Sequence, residues 1–244
     1  MIIIKLGGSL ITEKNSYRVF RESETKKAIR EIANDFEDFV IIHGGGSFGH
    51  IKAKEYGLPG EINKLSSAGF SVVHNDMSYL NHLVVSIMIS EGLKPMTVPI
   101  SSMIFNGNFD YTMLKKYHDL GFVPVSYGDV YVKNNNFYGI YSGDNIVLDL
   151  SKIFNPDFVA FLSDVDGIFD KDPKKYRDAK LLRTINTKVE FSKPENDVTG
   201  GIENKLNTMF LIRKYTKSVY LINGYYPERL KMIGNDNFTG TVIK

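Results

Sequence analysis

The sequence has no cysteine and no tryptophan. Without cysteine there is no disulfide, no thiolate nucleophile, no iron–sulfur cluster and no Cys-ligated zinc, a set of absences that fits a reducing compartment. An excess of one charge sign is also missing. Thirty Lys and Arg stand against 28 Asp and Glu, for a net charge of +2, which does not mark a nucleic-acid binder. No stretch approaches the ~18 apolar residues of a membrane span. The apolar start is broken at Lys5, well short of the ~7–15 residues of a secretory core. These absences lead to the expectation of a cytoplasmic chain with neither nucleic acid nor membrane as partner. No HExxH, EF-hand or Ser–His–Asp pattern occurs, and no P-loop GxxxxGK[ST] or clean GxGxxG is present.

The composition that remains is globular: 244 residues, 43% hydrophobic and 24% charged, enough for one large domain or two small ones. Short β-branched runs alternate with helical spacing. Strands are expected at Ile2–Leu6, Phe39–His43, Met96–Ile100, Phe122–Ser126, Asp157–Ser163, Ser218–Ile222 and Thr239–Ile243. Helices are expected at Glu24–Phe36, Lys64–Glu91, Asp144–Phe154 and Ile202–Tyr215, and a hairpin around Asn134–Asn136. Such alternation predicts an α/β fold, a parallel sheet with helices on both faces. Pro173–Lys193 is the most charged and least periodic stretch. A boundary near residue 155, unmarked by any flexible linker, would divide one continuous sheet into two halves.

Three glycine turns follow strands or open helices: Lys5-Leu6-Gly7-Gly8-Ser9, His43-Gly44-Gly45-Gly46-Ser47-Phe48-Gly49-His50 and Thr199-Gly200-Gly201. Glycine lets backbone N–H groups approach an anion, and a following helix adds partial positive charge. One such turn is commonly just a turn. Three together suggest a polyanionic ligand, or two anions facing each other. Lys5 lies in a buried run, where an ammonium is expensive without an anion. Lys205 lies near a helix start, against the helix dipole. Lys14 alone reads as a surface lysine, and His43 reads as structural. His50 could donate to a phosphate. Asp144 is either a first-turn acid or an acid that orients two lysines. Asp164 and Asp166 sit at a strand end, facing ribose, metal-bound water or turn amides.

Taken in order, Lys5-Leu6-Gly7-Gly8-Ser9, His43-Gly44-Gly45-Gly46, Ser142-Gly143-Asp144, Ser163-Asp164-Val165-Asp166-Gly167 and Thr199-Gly200-Gly201 to Lys205 resemble the amino acid kinase superfamily across the whole chain. Within it, Ser47-Phe48-Gly49-His50, Tyr127-Gly128-Asp129-Val130 and the position of Lys14 resemble the isopentenyl phosphate kinases, most of all the archaeal ones. The resemblance implies a three-layer αβα sandwich with a mainly parallel central sheet. Residues 1–155 would take the phosphoryl acceptor and 156–244 would take ATP. It also implies ATP and Mg²⁺ as cofactors, isopentenyl phosphate as the small-molecule partner and a homodimer; no residue is assigned as a ligand of the metal. Lys5, Lys14 and Lys205 would hold the transferring phosphoryl, His50 the acceptor phosphate, and Asp144 the lysines. Gly45, Gly49 and Gly128 would lie at the acceptor phosphate. Gly7, Gly8, Ser9, Gly46, Gly200 and Gly201 would lie at the ATP phosphates, and Asp164, Asp166, Lys171 and Lys174 would line the nucleotide. Asn145 departs from relatives that carry a second Asp there. Phe70, Val73 and Met77 on one helix face, with Val130 and Ile140 on the hairpin, would form an apolar pocket for the acceptor's tail. Ordinary core or dimer contact is the alternative for these five. Rival readings are another kinase of the superfamily, with fosfomycin kinase the nearest, and a non-catalytic nucleotide-binding protein.

Overall fold

Five-residue, mostly apolar runs that stop at a glycine become strands covered on both faces, and two of them hold the centre of this molecule. The computed structural model describes residues 1–105, 108–171, 173, 175–186 and 201–244. In chain order its main elements begin with β1 (Ile2–Leu6), α1 (Gly8–Ile11), α2 (Glu22–Asp35), β2 (Phe39–His43), α3 (Gly46–Glu55) and α4 (Lys64–Ser90). Next come β3 (Pro95–Thr97), α5 (Thr112–Asp119), β4 (Val123–Tyr127), and the hairpin β5 (Asp129–Asn134) and β6 (Phe137–Tyr141). The chain ends with α6 (Gly143–Phe154), β7 (Val159–Ser163), β8 (Thr184–Ile185), α7 (Gly201–Ile212), β9 (Val219–Asn223) and β10 (Thr241–Ile243).

Among the described residues one eight-stranded sheet runs in the order β8-β10-β9-β7-β1-β2-β4-β3. It is parallel from β9 to β3, and β10 pairs antiparallel with β9. Successive strand residues point to opposite faces, and this splits the core in two. Ile2, Ile4 and Leu6 pack with α2 and α4 through Ile29, Ile32, Val73 and Leu80. Ile3 packs on the other face with α6 and α7 through Ile146, Leu150, Met209 and Ile212. The expected three-layer αβα arrangement is thus present. The hairpin forms a separate small sheet with Gly60–Glu61.

Local chemistry sets the boundaries. Asn63 caps α4: its side chain accepts from the Leu65 and Ser66 amides, and the Ser66 hydroxyl accepts from the Asn63 amide. The helix then runs 27 residues, about 40 Å. The strand expected at Met96–Ile100 is shorter, because Pro99 cannot donate to a ladder and a 3₁₀ turn follows at Ile100–Ser102. Of the charged stretch 173–193, residues 174 and 187–193 lie outside the described residues. The described part returns to the sheet through the Phe169–Leu181 bridge and β8. Among the described residues no helix is long and apolar enough to cross a membrane.

Candidate active site

The alternation that sends Ile3 toward α6 and α7 sends Lys5 the same way. Lys5 is 7% exposed, and its ammonium is paired with Asp144 at the start of α6. Ser142 caps that helix by accepting from the Asn145 amide at 3.2 Å, which turns the first-turn residue Asp144 inward. Gly143 leaves room for the lysine stem, since a Cβ there would lie 3.1 Å from Lys5 Cε. Lys205, on α7, completes the cluster. Burial alone would raise the Asp144 carboxyl, but Lys5 and Lys205 together hold it below the usual range, so it stays ionised. Burial pushes the Lys205 ammonium down, Lys5 pushes it further, and Asp144 and Asp164 act against both. Lys5 and Lys205 are thus gathered around Asp144, with Asp164 also acting on Lys205, and the two ammonium groups are brought to one place where an anion can meet them.

The glycine turns meet directly above this cluster, at the carboxyl ends of the parallel strands. The Gly7 amide donates to Leu162 O at 2.8 Å and the Gly44 amide to Leu6 O at 3.0 Å, which fixes each turn to the neighbouring strand. Gly8 and Gly46 touch backbone to backbone, and a Cβ on either would run into the other turn. Gly46 also has φ +50, a left-handed backbone that favours glycine. Thr12 ties the turns together: its hydroxyl donates to Gly8 O at 2.8 Å and accepts from the Ser47 amide at 3.0 Å. Ser9 donates to Asp164 at 2.7 Å.

The amino acid kinase family profile matches residues 1–223. The isopentenyl phosphate kinase of Thermoplasma acidophilum is 51% identical over the full length of both chains, and that of Methanothermobacter thermautotrophicus is 31% identical over 95% of this chain and 94% of its own. The crystal structure of the T. acidophilum isopentenyl phosphate kinase product complex superposes with a TM-score of 0.92, at 49% identity, covering all of both chains. The chain belongs to the amino acid kinase family.

Within this family frame, α3 and α4 build the neighbouring side of the site. A Cβ at Gly45 would meet the Met77 sulfur at 2.9 Å and one at Gly49 at 3.2 Å, so Met77 seals the back of the turn. Val73, Met77 and Val130 are buried, Phe70 is partly buried and packs at a tilt against Tyr138 with centroids 4.6 Å apart, and Ile140 is 36% exposed. The five apolar residues therefore differ: three are core, while Phe70 and Ile140 keep surface. His50 lies in the second turn of α3. The residue keeps solvent access, yet the protein around its ring desolvates it and Lys5 repels its cation, so its pKa falls below the ordinary value. His43, by contrast, is fully buried, stacked on Tyr127 and held down at about 4 by burial. Gly128 reaches His43 O through its amide at 3.2 Å.

On the opposite side, Asp166 is already engaged: it accepts from Arg229 at 2.5 Å and from Asn223 at 3.1 Å. Lys171 pairs with Asp178 at 2.6 Å. Gly201 is the first residue of α7. Lys174 and Gly200 lie outside the described residues. Lys14 is exposed on a strap that leaves the Gly8–Thr12 contact and closes through a Thr12–Phe20 bridge. Thr12, Gly143, Asn223 and Arg229 were missed by sequence reading. Apart from the Thr12 bond to Gly8 O, four residues back, their partners lie far along the chain, and only the Gly143-Asp144 pairing carried a local signal.

Proposed function

We propose that this chain transfers the γ-phosphoryl group of ATP to isopentenyl phosphate, giving isopentenyl diphosphate and ADP. The observation that carries this reading is the partly buried Lys5–Asp144–Lys205 cluster beneath two glycine turns in backbone contact. Its chemistry matches the central difficulty of such a reaction, the mutual repulsion of two phosphates. Phosphoryl transfer asks little covalent help from a protein; it asks for alignment and neutralised charge. Lys5 and Lys205 supply cations from below, Lys14 from the strap, and Asp144 keeps the first two oriented. We assign residues 156–244 to the nucleotide and 1–155 to the acceptor. We also assign Gly7, Gly8, Ser9, Gly46, Gly200 and Gly201 to the ATP phosphates, with the Gly7 amide held by Leu162 O so that Gly7 shapes the turn. Asp164, Lys171 and Lys174 flank the nucleotide, and Asp166, held by Arg229 and Asn223, shapes that flank. Gly45, Gly49, Gly128 and His50 receive the acceptor phosphate.

The glycine cradle, which admits no Cβ, fits a triphosphate. Among the described residues no group of three or more His, Asp or Glu could hold a metal ion. Mg²⁺ would therefore be held mainly by phosphate oxygens and water, neutralising charge on the triphosphate. The acceptor phosphate is itself a nucleophile at neutral pH, so His50 need only donate a hydrogen bond, which a neutral imidazole can do. We further assign the chain to a homodimer, supported by Leu65 and Ile89, which stay 59% and 61% exposed on α4.

A short apolar wall favours an isoprenoid tail over the polar tails of rival acceptors. Phe70→Ala, which removes the ring packed against Tyr138, should shift selectivity toward longer prenyl phosphates. Two newly buried CH₂ groups at ~0.8 kcal/mol each amount to roughly tenfold in relative kcat/KM. Unchanged chain-length selectivity would refute the pocket. The whole assignment is tested by following ADP release with ATP and four acceptors side by side: isopentenyl phosphate, acetylglutamate, UMP and fosfomycin. Turnover should be confined to isopentenyl phosphate. Faster turnover with another acceptor would replace this reading, and ATP binding without turnover on any of them would favour a non-catalytic binder.

A further inference from the structure

Asp76 is a carboxylate in the wrong place for a soluble helix. It lies on the inward face of α4, near the core residues Val73 and Met77, and is 1% exposed. A charge so placed is costly unless paired. Both of its oxygens are taken by one segment, the strap that carries Lys14. Tyr17 donates its hydroxyl to one oxygen at 2.6 Å, and Arg18 places a guanidinium nitrogen 3.4 Å from the other. Arg18 adopts a left-handed backbone, φ +58, uncommon for a residue with a side chain. Its guanidinium lies 4.6 Å from the Tyr79 ring centre and 5.9 Å from that of Phe48, and Lys52 lies 5.0 Å from that of Tyr17.

The other end of the strap is tied elsewhere. Arg21 reaches Glu13 at 3.0 Å and also bonds Tyr225, just past β9. Lys14 thus sits between an anchor on the acceptor-side helices and an anchor beside the nucleotide-side strands. Two residues of chain, at most ~7 Å, separate it from Thr12 and the Gly8–Gly46 contact.

We infer that Asp76 is a positioning residue for phosphoryl transfer: through Tyr17 and Arg18 it holds the strap so that Lys14 is delivered over the gap between the two phosphates. This rests on the kinase reading above and on the role that reading gives Lys14. Asp76 touches neither substrate. Its loss misplaces a cation without removing one, an error that can cost ~10²-fold when it amounts to an ångström.

The test compares Tyr17→Phe and Asp76→Asn, each alone and combined with Lys14→Ala, by steady-state kinetics with ATP and isopentenyl phosphate and by thermal midpoint. Tyr17 is 41% exposed, so its variant loses one hydroxyl and keeps the fold even where Asp76→Asn does not. Each single variant should lower kcat by roughly 10- to 100-fold and leave the KM for isopentenyl phosphate nearly unchanged. In the Lys14→Ala enzyme neither should lower kcat further, because the group they position is gone. Wild-type kcat in both variants, or an equal loss with and without Lys14, overturns the inference. A Lys14→Ala enzyme with wild-type turnover overturns the role of Lys14 itself, and this inference with it, while an enzyme inactive on isopentenyl phosphate from the start points to the wrong reaction.

Discussion

Lys5→Met lowers kcat by roughly 10³- to 10⁵-fold, the scale on which a cationic finger acts in phosphoryl transfer, while the protein stays folded. Methionine keeps most of the stem in a slot between α6 and β1 and removes only the charge. Lys205 and Lys14 remain, but neither takes the position of that charge. Its face is set by strand alternation, its depth by β1, and its direction by Asp144. The loss is compounded, because Asp144 would then stand at the site without its main partner, a negative charge near incoming phosphates. Asp144→Asn should cost less than Lys5→Met, since the ammonium remains and only its orientation loosens. Circular dichroism would establish the fold, and single-turnover kinetics would separate chemistry from binding. A Lys5→Met enzyme within tenfold of wild type would remove the cluster from the reaction.

His50→Ala raises the KM for isopentenyl phosphate and lowers kcat, and leaves the KM for ATP near its wild-type value. A hydrogen bond to a charged group contributes about 1.5–3 kcal/mol, or roughly 10- to 150-fold shared between the two parameters. The split is the informative part. His50 lies on α3 beside the turn assigned to the acceptor, across the cradle from α7. With its pKa pushed below the ordinary imidazole value by burial and by Lys5, the ring is neutral at pH 7 and acts as a donor rather than a cation. His50→Gln, which retains an N–H donor, should recover part of the loss. Wild-type kinetics in His50→Ala, or an effect confined to ATP, would show that the assignment is wrong.

Much of the fold could be read before any coordinate was known, because its signals are local. β1 and β2 are mostly apolar runs stopped by glycine, departing from apolar only at Lys5 and His43, and they span the expected residues. The face of Lys5 follows from counting along the strand. α5 was not legible: it has eight residues and only Leu114 is buried, so two turns of helical spacing do not stand out from the loops around them. Glycines at 46 and 49 obscured the bounds of α3 by weighing against a helix that tertiary packing nevertheless forms. The site was legible as types of residue and illegible as partnerships. Tyr17 and Asp76 lie 59 residues apart and Arg229 and Asp166 lie 63 apart, distances over which a single sequence carries no pairing signal. The same limit hid the partners of Asp166, a strand-end acid read as facing ribose, metal-bound water or turn amides, which is held by Arg229 and Asn223.

A crystal structure with isopentenyl phosphate and a non-hydrolysable ATP analogue bound together tests the account most directly. The ammonium groups of Lys5, Lys14 and Lys205 should each lie about 3 Å from phosphate oxygens, with the two phosphates facing across them and the Gly8 and Gly46 amides on the nucleotide. Ammonium groups turned away from both ligands, or ligands seated apart from the Gly8–Gly46 contact, would contradict it.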